Sequence, residues 1–127
     1  PENRGKGAAI RTALQHATGE MCIIQDADLE YSPSDYDAVL APIMKGQSQA
    51  CFGSRVLHPE NKYPIDSFRI GSFVVTLAAN LLYGARLTDQ PTCYKAFRTD
   101  FLRSLPLEAE GFELCAELTA WTRKRQR

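Results

Sequence analysis

The feature that most constrains the fold is a short apolar run that stops at a pair of acidic residues. Residues 21–25 read MCIIQ, which is the length of a β-strand and carries no charge. A continuous apolar run is typical of a strand buried on both faces of a parallel sheet, because a strand with one solvent face alternates. Asp26 and Asp28 follow directly. The run therefore predicts a buried strand with carboxylates at its carboxyl end.

Helices and strands alternate along the whole chain. The predicted elements are a helix over 8–17, a strand over 21–25, a helix from Ser34 to Gly46, a strand over 49–53, a helix over 68–83, a strand over 93–98, a helical turn over 99–104 and a helix over 112–125. This order predicts an α/β fold with a mostly parallel sheet and flanking helices. Ligands of such sheets gather at the carboxyl ends of the strands, where Asp26 and residues 53–55 fall.

Charge is balanced globally and uneven locally. The 127 residues hold 15 basic and 15 acidic side chains, which excludes a general electrostatic attraction to nucleic acid. Residues 20–37 nevertheless carry six acidic side chains and no basic one. The four cysteines are scattered without CxxC spacing, which argues against a zinc site. We interpret them as reduced thiols, and reduced thiols favour a cytoplasmic location. The longest apolar stretch, 73–83, is shorter than the ~20 residues of a membrane span.

Asp26, Asp28 and Glu30 form an acidic cluster just past the predicted strand. Two carboxylates that flank one small residue can point toward one centre, and hard oxygen ligands suit Mg²⁺ or Mn²⁺. Such an ion usually bridges to substrate phosphates. A bare Asp-x-Asp also fits a turn or a helix cap, so the wider sequence has to decide between these interpretations.

The wider sequence resembles a known family. QDADLEYSP at 25–33, with FGSR at 52–55, resembles the inverting GT-A glycosyltransferases of family 2, in particular the dolichyl-phosphate mannose synthase-like enzymes that glycosylate polyprenyl phosphates. The motifs NRGKG at 3–7, LTDQPTCYK at 87–95 and GFE at 111–113 extend the resemblance over nearly all the chain. It implies a partial, Rossmann-like GT-A fold that lacks its N-terminal strands. Residues 1–127 are then expected to be the central part of a single domain, truncated at both ends.

The resemblance also implies a donor site. It assigns the divalent ion, Mg²⁺ or Mn²⁺, to Asp28 and Glu30, and catalytic roles to Asp28 and Asp89. The residues implied in nucleotide-sugar binding are Asp26, Ala27, Asp28, Arg55 and Lys6. A guanidinium and a divalent ion would stabilise the growing charge of a nucleoside diphosphate leaving group. For Lys6, a contact with phosphate and a plain loop leading into the helix remain equally open.

The acceptor side is expected on the apolar helix over 68–83. The resemblance places Arg69 and Ser72 at the phosphate of the lipid acceptor, while a helix-surface role for Arg69 remains open. Asp89 is expected near the acceptor, where it would position substrate, because a phosphate nucleophile is already ionised and needs little general-base help.

The resulting prediction is a metal-assisted, inverting transfer of a hexose from a UDP- or GDP-sugar to a polyprenyl phosphate. Two alternatives stay open: a related enzyme that acts on a polysaccharide, a protein or a small acceptor, and an inactive fragment that self-associates. Self-association is expected because residues 21–25 would present an open strand edge without the family's first strand. A cytoplasmic location is expected, with the parent protein allowed at the cytoplasmic face of a membrane.

Overall fold

The computed structural model describes residues 2–27, 31–57 and 67–125. Within these ranges the helices are α1 Lys6–His16, α2 Tyr36–Met44, α3 Ser67–Tyr83, α4 Thr99–Ser104 and α5 Leu114–Arg125, and the strands are β1 Met21–Ile24, β2 Ala50–Phe52 and β3 Lys95–Arg98. A 3₁₀ turn over Pro33–Asp35 precedes α2. The alternation of helices and strands predicted from the sequence is confirmed, and with it the α/β class.

The strand pairing differs from the mostly parallel sheet that was predicted. The strands lie in the order β1-β3-β2, and β3 is antiparallel to both neighbours. The strand–helix–strand unit β1-α2-β2 does bring β1 and β2 into the same direction, as expected. The place between them, however, is taken by β3, which enters from the opposite direction after the loop over 84–94.

The most buried strand is β3 rather than the apolar run at 21–25. Lys95, Ala96 and Phe97 are 1% exposed or less, whereas every residue of β1 is only half-buried. The reason is position: β3 is the central strand, and β1 lies at one edge of the sheet. The described residues thus leave the outer edge of β1 without a strand partner, and this is the edge on which the self-association prediction rests.

Two apolar clusters cover the two faces of the sheet. One is built around Phe97 from the helices α4 and α5, with the side chains of Phe101, Leu102, Leu105, Leu114 and Leu118. The other joins α2 to the sheet through Val39, Ile43, Tyr94 and Ala96. Adjacent residues of β3 therefore face opposite clusters, which is the two-residue period of a strand.

Glycine and serine set the helix boundaries. Gly46 and Gly84 follow α2 and α3 with φ of 66° and 60°, a left-handed conformation that costs glycine little. Ser32 caps the 3₁₀ turn that precedes α2: its hydroxyl accepts from the Ser34 amide, and Pro33 occupies the first position of that turn. The N-cap residue of α2 itself is Asp35, which makes no side-chain capping hydrogen bond. The helix endings predicted from the glycines are confirmed.

Helix α3 packs on one narrow side and exposes the rest. Thr76 and Ala79 are buried, and α3 contacts α5. Eight large apolar side chains of α3 are between 47% and 77% exposed: Phe68, Ile70, Phe73, Val74, Val75, Leu77, Leu81 and Leu82. We call these eight residues the α3 apolar surface. No helix within the described ranges combines the length and the apolar character that a membrane span requires.

Candidate active site

One end of the sheet collects most of the predicted site residues. The register pairs Ile24, the last residue of β1, and Phe52, the last residue of β2, with Lys95, the first residue of β3. The segment after β1, the segment after β2 and the loop before β3 therefore meet at the same edge. These segments carry Asp26, Arg55 and Asp89 respectively.

The first polar cluster joins Lys6, Asp26 and Cys93. The Lys6 ammonium lies 2.6 Å from Asp26 Oδ1, 2.8 Å from Asp26 Oδ2 and 3.3 Å from Cys93 Sγ. The Cys93 thiol also donates to Asp26 Oδ2. Three segments that are distant in sequence, the start of α1, the end of β1 and the loop before β3, thus converge on one carboxylate.

The three side chains perturb one another's titration. Burial alone would raise the pKa of Asp26, but hydrogen bonds from Cys93 and Lys6 outweigh it and hold this pKa below its ordinary value. Burial would lower the pKa of Lys6, and the contacts with Asp26 and Cys93 outweigh it and raise this pKa. Burial raises the pKa of the Cys93 thiol, and its bond to Asp26 raises it further. At neutral pH the cluster is therefore an ion pair with a neutral thiol.

The glycines on either side of Lys6 allow the close approach that places it. A Cβ at Gly7 would lie 2.2 Å from the Ala109 carbonyl oxygen, and one at Gly5 would lie 2.5 Å from that of Glu110. The Gly7 and Ala8 amides instead donate to the Glu110 carbonyl at 2.7 and 3.2 Å. The start of α1 is thus packed against the loop at 109–111, which fixes where the Lys6 side chain begins.

The second polar cluster is a buried ion pair between Arg55 and Asp89. Arg55 donates from Nε to Oδ2 at 2.9 Å and from a terminal nitrogen to Oδ1 at 3.1 Å, a bidentate arrangement. The Arg55 amide also donates to Oδ2 at 3.0 Å. The side chains are 11% and 2% exposed. Next to them, Thr88 donates to Ser54 at 2.8 Å, so two neighbouring residue pairs bond the segment after β2 to the segment before β3.

The loop before β3 is fixed from several sides. The Tyr31 hydroxyl accepts from the Cys93 amide at 2.9 Å, and its ring lies 4.5 Å from that of Tyr94. Lys95, which is 1% exposed, donates to the carbonyls of Gln90, at 3.0 Å, and Thr92. Burial lowers the pKa of Lys95. These bonds hold the backbone that presents both Asp89 and Cys93.

Residues 1–105 match glycosyl transferase family 2, which is most of the 127-residue chain. The chain belongs to glycosyl transferase family 2. The resemblance drawn from the motifs is thereby confirmed, and the polar end of the sheet is the candidate active site of a family 2 domain.

Relatives with assigned names are archaeal glycosyltransferases. The chain is 27% identical over 132 aligned residues to a UDP-N-acetylglucosamine–dolichyl-phosphate N-acetylglucosaminyltransferase of Methanococcus voltae, covering 98% of this chain and 52% of the relative. It is 24% identical over 121 residues to the low-salt glycan biosynthesis hexosyltransferase Agl6 of Haloferax volcanii, covering 93% and 29%. Glycosyltransferase AglJ of the same organism is 25% identical over 122 residues, covering 95% and 40%. The chain thus spans about half the length of these relatives or less.

The structure brings four predicted site residues together as two pairs, Lys6 with Asp26 and Arg55 with Asp89. Asp89, which was expected near the acceptor, is bonded to the predicted diphosphate partner Arg55. Ala27 is exposed next to the first pair. Arg69 and Ser72 lie half-buried in the first turns of α3. The predicted metal ligands Asp28 and Glu30 lie outside the described residues.

A divalent ion needs several oxygen, nitrogen or sulfur ligands that converge on one point. Among the described ranges, no three Asp, Glu, His or Cys side chains come together as a metal-binding group. Asp26 offers hard oxygens, but Lys6 already neutralises its charge. The described residues therefore do not form a complete metal site by themselves, and assignment of the ion to Asp28 and Glu30 stays a prediction.

Sequence reasoning missed three contributors to this site: Cys93, Tyr31 and Phe112. Cys93 was treated only as one of four scattered thiols, and Tyr31 only as part of a motif. Phe112 is 77% exposed, and the Lys6 ammonium lies 5.8 Å from the centre of its ring. The motifs that contain these residues were the available signal, but local spacing does not tell which residues of a motif touch one another.

Proposed function

We propose that this family 2 domain transfers a hexose from a UDP- or GDP-linked sugar to a polyprenyl phosphate, with inversion at the anomeric carbon and with Mg²⁺ or Mn²⁺. One observation carries the proposal: the Lys6–Asp26 and Arg55–Asp89 pairs meet at one end of the sheet in a chain that belongs to glycosyl transferase family 2. The name of one relative, a dolichyl-phosphate N-acetylglucosaminyltransferase, supports a phosphorylated lipid as the acceptor class.

Arg55 is the proposed partner of the donor diphosphate. The Arg55 guanidinium donates two hydrogen bonds to Asp89, and the Arg55 backbone amide donates a third to the same carboxylate. The guanidinium is therefore oriented before substrate arrives. Preorganised cations lower the barrier when charge develops on a leaving nucleoside diphosphate. Because both Asp89 oxygens are engaged by Arg55, we assign Asp89 the positioning of Arg55 rather than proton transfer.

Asp26 and Lys6 are proposed to border the donor on the β1 side. The ammonium of Lys6 is only 15% exposed and is shared between Asp26 and Cys93, so it contributes a fixed positive charge near the carboxylate. Asp28 and Glu30, two and four residues after Asp26, are the proposed ligands of the divalent ion. When bound, such an ion neutralises charge on the donor phosphates.

The acceptor is proposed to approach along α3. The α3 apolar surface is much larger than scattered single exposed side chains, and such surfaces mark contacts with protein, ligand or lipid. Arg69 and Ser72 lie in the same helix and are proposed to bind the acceptor phosphate, beside apolar side chains that suit a polyprenyl chain. The α3 apolar surface also supports placing the whole protein at a membrane surface, and we propose that this is the cytoplasmic face.

The test is a transfer assay with the whole protein. Purified protein is incubated with UDP- and GDP-sugars, Mn²⁺ or Mg²⁺ and either a polyprenyl phosphate, an oligosaccharide or a small alcohol, and products are identified by mass spectrometry. We expect a polyprenyl-phosphate hexose of inverted anomeric configuration, and loss of measurable product in D28N. Product on the oligosaccharide or alcohol alone would refute the lipid acceptor, and near wild-type transfer by D28N would refute the assigned metal ligand.

A further inference from the structure

The segment that carries Asp89 is bonded to α3, the helix of the proposed acceptor site. The backbone amide of Gln90, the residue after Asp89, donates to the Thr76 hydroxyl at 2.9 Å. That hydroxyl donates in turn to the Ser72 carbonyl at 2.7 Å. Two hydrogen bonds therefore connect the first turns of α3, through Thr76, to the Gln90 amide. The peptide bond of that amide joins Gln90 to Asp89, the residue that orients Arg55.

This connection is buried and can accept few substitutes. Thr76 is 5% exposed, Gln90 is 2% exposed and Asp89 is 4% exposed. Gln90 is further held by its side chain, which donates to Thr119 on α5 at 3.4 Å, and by its carbonyl, which accepts from Lys95. With the Thr76 oxygen removed, the buried Gln90 amide would lose its acceptor, and a buried amide without an acceptor is unfavourable. The segment would have to shift to find another acceptor.

A second link joins the same helix to the same segment. The Asn80 side chain donates to the Leu87 carbonyl at 2.8 Å and accepts from the Leu87 amide at 2.9 Å. Residues 87–90 are therefore bonded to α3 at both ends, one helical turn apart. The position of Asp89 between these two bonds is set by α3 as much as by Arg55.

We propose that Thr76 is a positioning residue for the reaction: its hydroxyl fixes Asp89, and through Asp89 the guanidinium of Arg55, relative to the acceptor helix α3. This proposal rests on the proposed function and goes beyond it, because Thr76 is a buried residue that belongs to no motif that identified the family. It makes α3 part of the donor site's scaffold. A small displacement of such a scaffold misaligns the reacting groups.

The test is a double-mutant cycle in the whole protein with T76V, T76S and D89N. Valine keeps the shape of threonine without the hydroxyl, whereas serine keeps the hydroxyl. We expect T76V to lower kcat/KM for transfer by on the order of 10- to 100-fold and T76S to remain within about threefold of wild type. In the D89N background T76V should have little further effect, because it acts through Asp89.

An equal fold-loss of kcat/KM from T76V in the wild-type and D89N backgrounds would overturn the proposal. Such independent effects are what a general structural defect would produce. Activity of T76V within twofold of wild type would overturn it as well. If T76V does not fold, as judged by its unfolding transition, N80A is measured in the same cycle, with the same dependence on Asp89 expected.

The cycle is separable from the proposed function. Absence of transfer from wild type to any polyprenyl phosphate would refute that function. In that case the same four proteins are compared by the dissociation constant of the donor sugar nucleotide, measured by calorimetry. The effects of T76V and D89N on the binding free energy should again be non-additive. A wild-type protein that binds no sugar nucleotide would overturn both proposals.

Discussion

The substitution D89N tests whether the Arg55–Asp89 pair organises this end of the sheet. Asparagine keeps the size of the side chain and one carbonyl oxygen, but it removes the carboxylate charge from beside the Arg55 guanidinium at a site where the two side chains are 11% and 2% exposed. Removing one partner of a buried pair costs about 3–5 kcal/mol, and the retained acceptor places the expected loss near the lower end, at about 3 kcal/mol. With ordinary unfolding entropies per residue, a chain of this length would lose about 10 °C in Tm.

The assay is thermal and urea denaturation of wild type and D89N, followed by circular dichroism at equal protein concentration. The matched control is D100N, because Asp100 pairs with Arg98 at 3.3 Å on the surface, where the side chains are 72% and 47% exposed. Exposed pairs contribute little, so D100N should leave the midpoint nearly unchanged. A D89N midpoint no lower than that of D100N would refute the assignment of Arg55–Asp89 as a buried structural constraint.

Three further predictions follow from the same contacts. The difference in unfolding free energy between wild type and K6M should be constant from about pH 5 to 9 and shrink below about pH 4. The reason is that the folded state lowers the pKa of Asp26. The contribution of the ion pair is therefore present above the pKa that Asp26 has in the unfolded chain, and it is lost as pH falls through the pKa of the folded state. Urea midpoints across pH measure this, and a difference that persists at pH 2 would contradict it. R69A should lower kcat/KM for a polyprenyl phosphate about 10-fold without changing donor hydrolysis, and the control R98A should change neither. Equal loss of hydrolysis and transfer in R69A would instead assign Arg69 to the donor site or to the scaffold. The open edge of β1 should make the 127-residue chain a dimer or larger assembly at micromolar concentration, and light scattering that finds one 14.2 kDa species would refute this.

The sequence was sufficient where local chemistry decides the outcome. The apolar spacing of α1 and α3 and the glycines after α2 and α3 fixed the helices within about two residues, because amphipathic period and left-handed turns are properties of a few neighbouring residues. The family could likewise be identified from short ordered motifs, and the match over residues 1–105 confirmed it.

Strand order was beyond local patterns. The apolar, uncharged run at 21–25 was predicted to be a strand buried on both faces, yet it lies at an edge of the sheet. The central strand is β3, which begins and ends with the cations Lys95 and Arg98. Lys95 can be buried because two carbonyls of the loop before β3 accept hydrogen bonds from its ammonium group. That compensation depends on the path of the loop, and an isolated lysine in a sequence gives no sign of it.

The contacts inside the site were likewise invisible in the sequence. Lys6 and Cys93 are 87 positions apart, and Arg55 and Asp89 are 34 apart. The motifs named Lys6, Arg55 and Asp89 separately as substrate-binding or catalytic residues. Only the fold shows that Lys6 is paired with Asp26 and Arg55 with Asp89, so that each pair forms before any substrate arrives.

A calorimetric titration of the whole protein with UDP-N-acetylglucosamine, UDP-glucose and GDP-mannose, each with and without Mn²⁺, tests for a metal-assisted donor site at this end of the sheet. We expect saturable binding of at least one sugar nucleotide that is strengthened by Mn²⁺ in wild type. We also expect that D28N loses this strengthening and that K6M binds the same donor more weakly. Absence of binding for all three donors in folded wild-type protein, or equal affinity with and without Mn²⁺ in wild type and D28N, would contradict a metal-assisted donor site at this end of the sheet.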